Sequence, residues 1–113
     1  MRKPIGWFVA VTLLLPVYRP ADAGTAAASL LHTINFLPNG VVIVYSDGSR
    51  SGAPACATQI ARFAIDSTTP GGKSQLAGLL AAYAIGKPVV ILGTGACEVY
   101  GDSETINYFY TAD

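Results

Sequence analysis

Three features predict a mostly β domain with one helix, arranged as a five-stranded Greek-key barrel with the helix between its third and fourth strands. Short apolar runs recur between turn-forming residues, as strands do. A single stretch, "STTPGGKSQLAGLLAAYAIGKP" from Ser67 to Pro88, carries helical periodicity with a marked start and stop. Two cysteines, Cys56 and Cys97, lie on either side of that stretch, so one disulfide is expected to staple the elements around the helix.

The N-terminus is read apart from this domain. Met1-Arg2-Lys3 is positive, Ile5 to Leu15 is an apolar run of eleven, and Ala21-Asp22-Ala23 before Gly24 is a small-x-small cleavage pattern. That order predicts a secretory signal peptide over 1–23 and a mature domain over 24–113. The run is shorter than the about 20 residues a membrane-spanning helix needs. The segment PVYRPADA is long and carries Arg19, so a later cut within Ala26-Ala27-Ala28 is a second reading. An uncleaved anchor is a third. Export, to the periplasm or beyond, places the two cysteines in an oxidising compartment, where a Cys56–Cys97 bond closing a loop of about 40 residues contributes about 4 kcal/mol in the chain-entropy model.

The elements follow in order. Gly24 to Ser29 (GTAAAS) is small and expected to fray. Leu31 to Leu37 and Val41 to Ser46 are two strands, with Pro38-Asn39-Gly40 as the hairpin turn between them. Asp47-Gly48 ends the second strand, and Ser49 to Ala53 continues as a polar loop. A third extended region starts near Ala55-Cys56-Ala57 and resumes at Arg62 to Asp66. Thr69 then caps the helix and Pro70 opens it; Leu76, Leu79, Leu80 and Tyr83 form its apolar stripe, and Gly86 and Pro88 stop it. Val89 to Leu92 is a buried-type strand running into Gly93-Thr94-Gly95, where two glycines predict a bulge or tight bend. After a turn at Tyr100 to Ser103, the last strand spans Glu104 to Thr111. Its alternation sets Ile106, Tyr108 and Tyr110 against Phe109, which leaves an aromatic facing outward. Three strands, a helix and two strands is the element order of the OB-fold. An open antiparallel sheet with the helix across one face is the competing architecture.

Several chemistries are excluded. The mature part has four bases, Arg50, Arg62, Lys73 and Lys87, against six acids, a net charge of −2 that gives no footprint for nucleic acid. No basic amphipathic helix is present to hold the mature domain on a membrane. Gly71-Gly72-Lys73-Ser74 resembles a phosphate loop, but the first glycine of that motif falls on Ser67, and the residues are accounted for as a helix start. His32 is the lone histidine, and no nucleophile elbow is present. Glu98, Asp102 and Glu104 flank a turn and read as solvated turn acids rather than a catalytic pair or a calcium site. Neither a metal nor a cofactor is expected, and the chain reads as a non-enzymatic binding module. Its candidate contacts are Tyr45 and Asp47 at the second strand, and Tyr100 and Asp102 at the last turn. A sugar or a partner protein is the expected ligand, because tyrosines offer a flat apolar face with a polar tip. The alternative is a solitary structural protein of the cell envelope with no small ligand.

The strings PACA (Pro54 to Ala57), RFAID (Arg62 to Asp66), TPGGK (Thr69 to Lys73), AYAIGK (Ala82 to Lys87), GTGAC (Gly93 to Cys97) and GDSETINYF (Gly101 to Phe109) follow in order. Together they resemble a group of small exported bacterial proteins, and more distantly the B subunits of subtilase-type A–B toxins. The resemblance covers nearly all of the mature chain. It implies an OB-fold, assembly into a five-membered ring and binding of sialylated glycans; none of the toxin subunits' sugar-binding residues transfers onto a position here.

Overall fold

The computed structural model describes residues 23–113, so the predicted leader lies outside the described residues except for Ala23. The chain forms β1 (Thr25–Ser29), β2 (Leu31–Phe36), β3 (Val41–Ser46), β4 (Arg50–Ser51), β5 (Arg62–Asp66), α1 (Pro70–Ile85), β6 (Val89–Gly93) and β7 (Glu104–Thr111). The mostly β character, the single helix and the disulfide are as expected. The strand count is not: the sheet has seven strands, in the order β2-β3-β5-β7-β6-β1-β4, and the helix lies between β5 and β6. Every pairing is antiparallel except that of β5 with β7.

Two misread segments account for the difference. GTAAAS is not frayed: Thr25 and Ala26 pair with Leu92 and Ile91 on one side and with Ser51 and Arg50 on the other. The backbone of this segment is closely approached by its neighbour, since a Cβ on Gly48 would run into the Ala27 backbone. Only Leu30 separates β1 from β2, so one stretch of chain pairs with β6 and β4 through its first half and with β3 through its second. The other is Ser49 to Ala53, expected as a polar loop, where Arg50 and Ser51 form β4 by pairing with Ala26 and Thr25. The third strand is also shorter than expected, since the region around Cys56 is loop and β5 begins only at Arg62.

The VVIV run of β3 is buried on both faces, which is why it reads as continuous rather than alternating. Val42 and Val44 join Phe63, Ile65, Leu79, Ala82, Val89, Ile91 and Ile106 in the main core. Val41 and Ile43 turn the other way and pack with Ala64 under Leu37, Tyr45 and Val99. The helix begins as expected, with the Thr69 hydroxyl accepting from the Gly72 amide at 2.9 Å, and ends at Gly86 in the left-handed region with φ 70°. Its buried face is Gly72, Leu79 and Ala82, with Leu76 partly buried; Leu80 and Tyr83, assigned to the core by the predicted stripe, are exposed. Gly72 is demanded by close approach, because a Cβ there would strike the Asp66 carbonyl.

A register shift at Leu92/Gly93 breaks the alternation of β7. Ile106 points into the core and Phe109 packs against it, while Tyr108 and Tyr110 are 50% and 53% exposed. Ile106 and the two tyrosines therefore do not share a face, as simple alternation would have it.

Candidate functional site

The second face of β3 and β5 carries a polar and aromatic patch beside the Val41–Ile43–Ala64 cluster. Tyr45 and Arg62 are register partners across the β3–β5 ladder, which brings their side chains together. Arg62 Nη1 donates to the Tyr45 hydroxyl at 2.7 Å, and its Nε donates to Ser103 Oγ at 2.8 Å. Its Nη2 donates to both oxygens of Asp102, at 2.9 and 3.0 Å. The guanidinium carbon lies 5.7 Å from the Tyr45 ring centroid and 5.8 Å from that of Tyr100. All three guanidinium nitrogens are thus engaged by the protein.

The turn that delivers Asp102 is itself tied down. The Ser103 amide donates to the Tyr100 carbonyl at 3.0 Å, and the Gln59 amide donates to the Asp102 carbonyl at 3.1 Å. The Cys56–Cys97 disulfide, with Cα atoms 6.2 Å apart across a separation of 41 residues, links the loop before β5 to the loop after β6. Those are the two loops that meet at Gln59 and Asp102. The staple expected for stability therefore also sets the geometry of the patch.

On the other side of Tyr45, His32 stands with its ring centroid 5.6 Å from the tyrosine ring. Its Nδ1 shares a hydrogen bond with Asp47 Oδ1 at 2.7 Å. The patch is a run of side chains in the order Asp47, His32, Tyr45, Arg62, then Asp102 and Tyr100. All four candidate contact residues fall within it. Sequence reasoning missed the residue that joins them, Arg62, and gave no weight to Ser103 or to His32 as a partner of Asp47.

The electrostatics follow from these contacts. The Arg62 guanidinium, then the Ser103 hydroxyl, hold the Asp102 carboxyl below the usual carboxylate range. Hydrogen bonds to Asp102 and Tyr45 raise Arg62 in turn. Asp47 and Asp102 remain accessible, their side chains 59% and 41% exposed, and so present carboxylate oxygens outward.

The expected cluster of solvated turn acids is corrected. Glu98 is exposed, Asp102 belongs to Arg62, and Glu104 is fully buried and paired with Arg50. Glu104 Oε1 accepts from Arg50 Nη2, while its Oε2 accepts from the amides of Gly24 at 2.9 Å and Gly95 at 2.8 Å. Gly93 is required next to it, since a Cβ there would overlap the carboxylate. Arg50 also donates to the Ile60 carbonyl at 2.5 Å and lies 4.3 Å over the Phe63 ring. Burial lowers its pKa, and Glu104 opposes that shift.

Among the described residues no group of His, Cys, Asp and Glu is placed to hold a metal ion, and no helix is long and apolar enough to cross a membrane. No family model, curated protein or solved structure matches the chain.

Proposed function

We propose that this protein is an exported, non-enzymatic binding module that takes a glycan on the patch running from Asp47 to Tyr100. The observation that carries the reading is the saturation of Arg62 by Tyr45, Ser103 and Asp102. With the cation occupied, the patch offers a ligand two exposed carboxylates, an imidazole and the ring of Tyr100. Carboxylate oxygens accept hydrogen bonds from neighbouring hydroxyls, and aromatic faces stack on the apolar side of a sugar ring. That set suits a neutral sugar. A sialylated one, implied by the resemblance to toxin B subunits, would set its own carboxylate against Asp47 and Asp102.

If β1 and β2 are taken as one strand bent at Leu30, and the two-residue β4 is set aside, five strands remain, with the helix between the third and fourth. That strand is then neighbour to both β3 and β6, as closure into an OB-type barrel requires. The face of its second and third strands is the surface such barrels use for ligands, and Tyr45 and Arg62 stand there. The disulfide supports export.

The test is a screen of the oxidised protein against immobilised neutral and sialylated glycans. Binding to neutral sugars that is lost in Tyr100→Ala and Asp47→Asn supports the reading. Binding confined to sialylated probes overturns the neutral-sugar preference, and no binding above background removes the lectin assignment altogether. Light scattering on a sizing column tests the ring assembly separately.

A further inference from the structure

The Gly24 nitrogen donates to the fully buried Glu104. Ala23 is exposed and Gly24 is buried, so the Ala23–Gly24 bond sits where the chain enters the fold. The Gly24 carbonyl accepts from the Gly93 amide at 2.8 Å, fixing the residue on its other side. No larger residue fits there: a Cβ would collide with the Gly52 carbonyl and Arg50 Nη2, and would come within 2.8 Å of Glu104 Oε1.

We propose that Ala23–Gly24 is a processing site whose new α-ammonium is held inside the fold by Glu104. The proposal rests on the export reading, because a leader peptidase must make the cut. Water splits the peptide bond; its oxygen leaves with the leader as the Ala23 carboxylate, and the Gly24 nitrogen gains the protons that make it an ammonium. One amide donor becomes a charged group with three. Glu104 is already positioned for it, with Oε2 on the Gly24 nitrogen and Oε1 on Arg50. Arg50 is the second cation on that carboxylate, and the negative face of the Phe63 ring, 4.3 Å beneath its guanidinium, attracts that cation as well.

The geometry also selects among cleavage positions. A cut within Ala26 to Ala28 would remove Thr25 and Ala26, which make all of the β1 pairing with β4 and two of its three register pairs with β6, and Ala26 is completely buried. A cut upstream of Ala23 leaves Gly24 an amide and Glu104 without the charge.

The full chain is expressed with export, and the intact mass of the recovered protein is measured. It is then treated with an amine-acylating reagent at neutral pH, folded and in urea, and labelling at Gly24 is compared with labelling at the exposed Lys73. A mass beginning at Gly24, with the Gly24 amine labelled at least about tenfold more slowly in the folded protein than in urea, is expected. Glu104→Gln should erase most of that protection; the folded-to-urea comparison in the unaltered protein stands even where this variant fails to fold. A mass beginning elsewhere overturns the processing site, and an uncleaved chain overturns the export reading with it. A protein that begins at Gly24 but labels there as fast as in urea overturns only the buried ammonium.

Discussion

Arg50–Glu104 and Arg62–Asp102 are the same ionic chemistry in two settings. In the first, both side chains are withdrawn from water, with Glu104 fully buried and Arg50 only 7% exposed. Its carboxylate is also the acceptor for two backbone amides. In the second, Asp102 faces solvent and Arg62 is clamped by hydroxyls as well as by the acid. Burial turns an ion pair into a structural requirement, because separating the partners strands a charge away from water. Exposure turns the same pair into a device for holding a surface in shape, with little net energy at stake.

The largest expected effect therefore lies at Glu104. Glu104→Ala should destabilise the domain by about 3–5 kcal/mol in urea unfolding, since it leaves Arg50 buried without its acid. The double variant Arg50→Met with Glu104→Leu sharpens the point. A simple buried pair replaced by apolar residues is often neutral, but here the Gly24 nitrogen and the Gly95 amide lose their acceptor, at about 1–3 kcal/mol for the amide and no less for the Gly24 nitrogen. The double variant should thus recover only part of the loss. A single-variant loss under about 1 kcal/mol would mean that the buried pair behaves as an exposed one.

Next comes the disulfide. Cys56→Ser with Cys97→Ser should cost about 2–4 kcal/mol. It should also loosen the patch, because the bond links the loops that carry Gln59 and Asp102. The sharper readout is hydrogen exchange at the Gln59 amide, which should speed up beyond the change seen at the β3 amides. Equal acceleration at both would assign the bond to global stability alone.

How much of this could be read from residues alone follows the range of the interactions. The helix start was readable because Thr69, Pro70 and Gly72 act within a few positions of one another. The Cys56–Cys97 bond was readable because the chain has only two cysteines. Strand β1 was not, since Gly24 to Ser29 carries no apolar pattern, and its order comes from backbone pairing with residues far along the chain. The four contact residues were chosen for polarity and ring chemistry, and the fold does bring them together. Arg62 was missed because its role depends on the β3–β5 register and on a turn 40 positions away. Glu104 was misplaced for a related reason: beside Asp102 in a turn it looks solvated, whereas β7 alternation directs it inward to Arg50.

The smallest effects are expected at the surface pair, where they report geometry rather than stability. Arg62→Met should move the urea midpoint by only a small part of the Glu104→Ala shift. Its signature is a titration. Asp102 is held below the ordinary carboxylate value of 3.8 by the Arg62 and Ser103 hydrogen bonds. A depressed folded-state pKa contributes stability that is present above the ordinary value and is lost as pH falls through the folded one. From neutral pH down to the ordinary value of 3.8 the patch should therefore keep its shape, with Asp102 protonating only below that value. The carboxyl-carbon shift of Asp102, followed by NMR, should move up in pH in Arg62→Met. Asp66, lowered instead by hydrogen bonds from the Thr68 side chain and backbone, should not move and serves as the internal control. If Asp102 titrated at the ordinary value in the unaltered protein, the clamp on Arg62 would be too loose to leave the carboxylates as the groups offered to a ligand. The preference for a neutral sugar would then lose its physical basis.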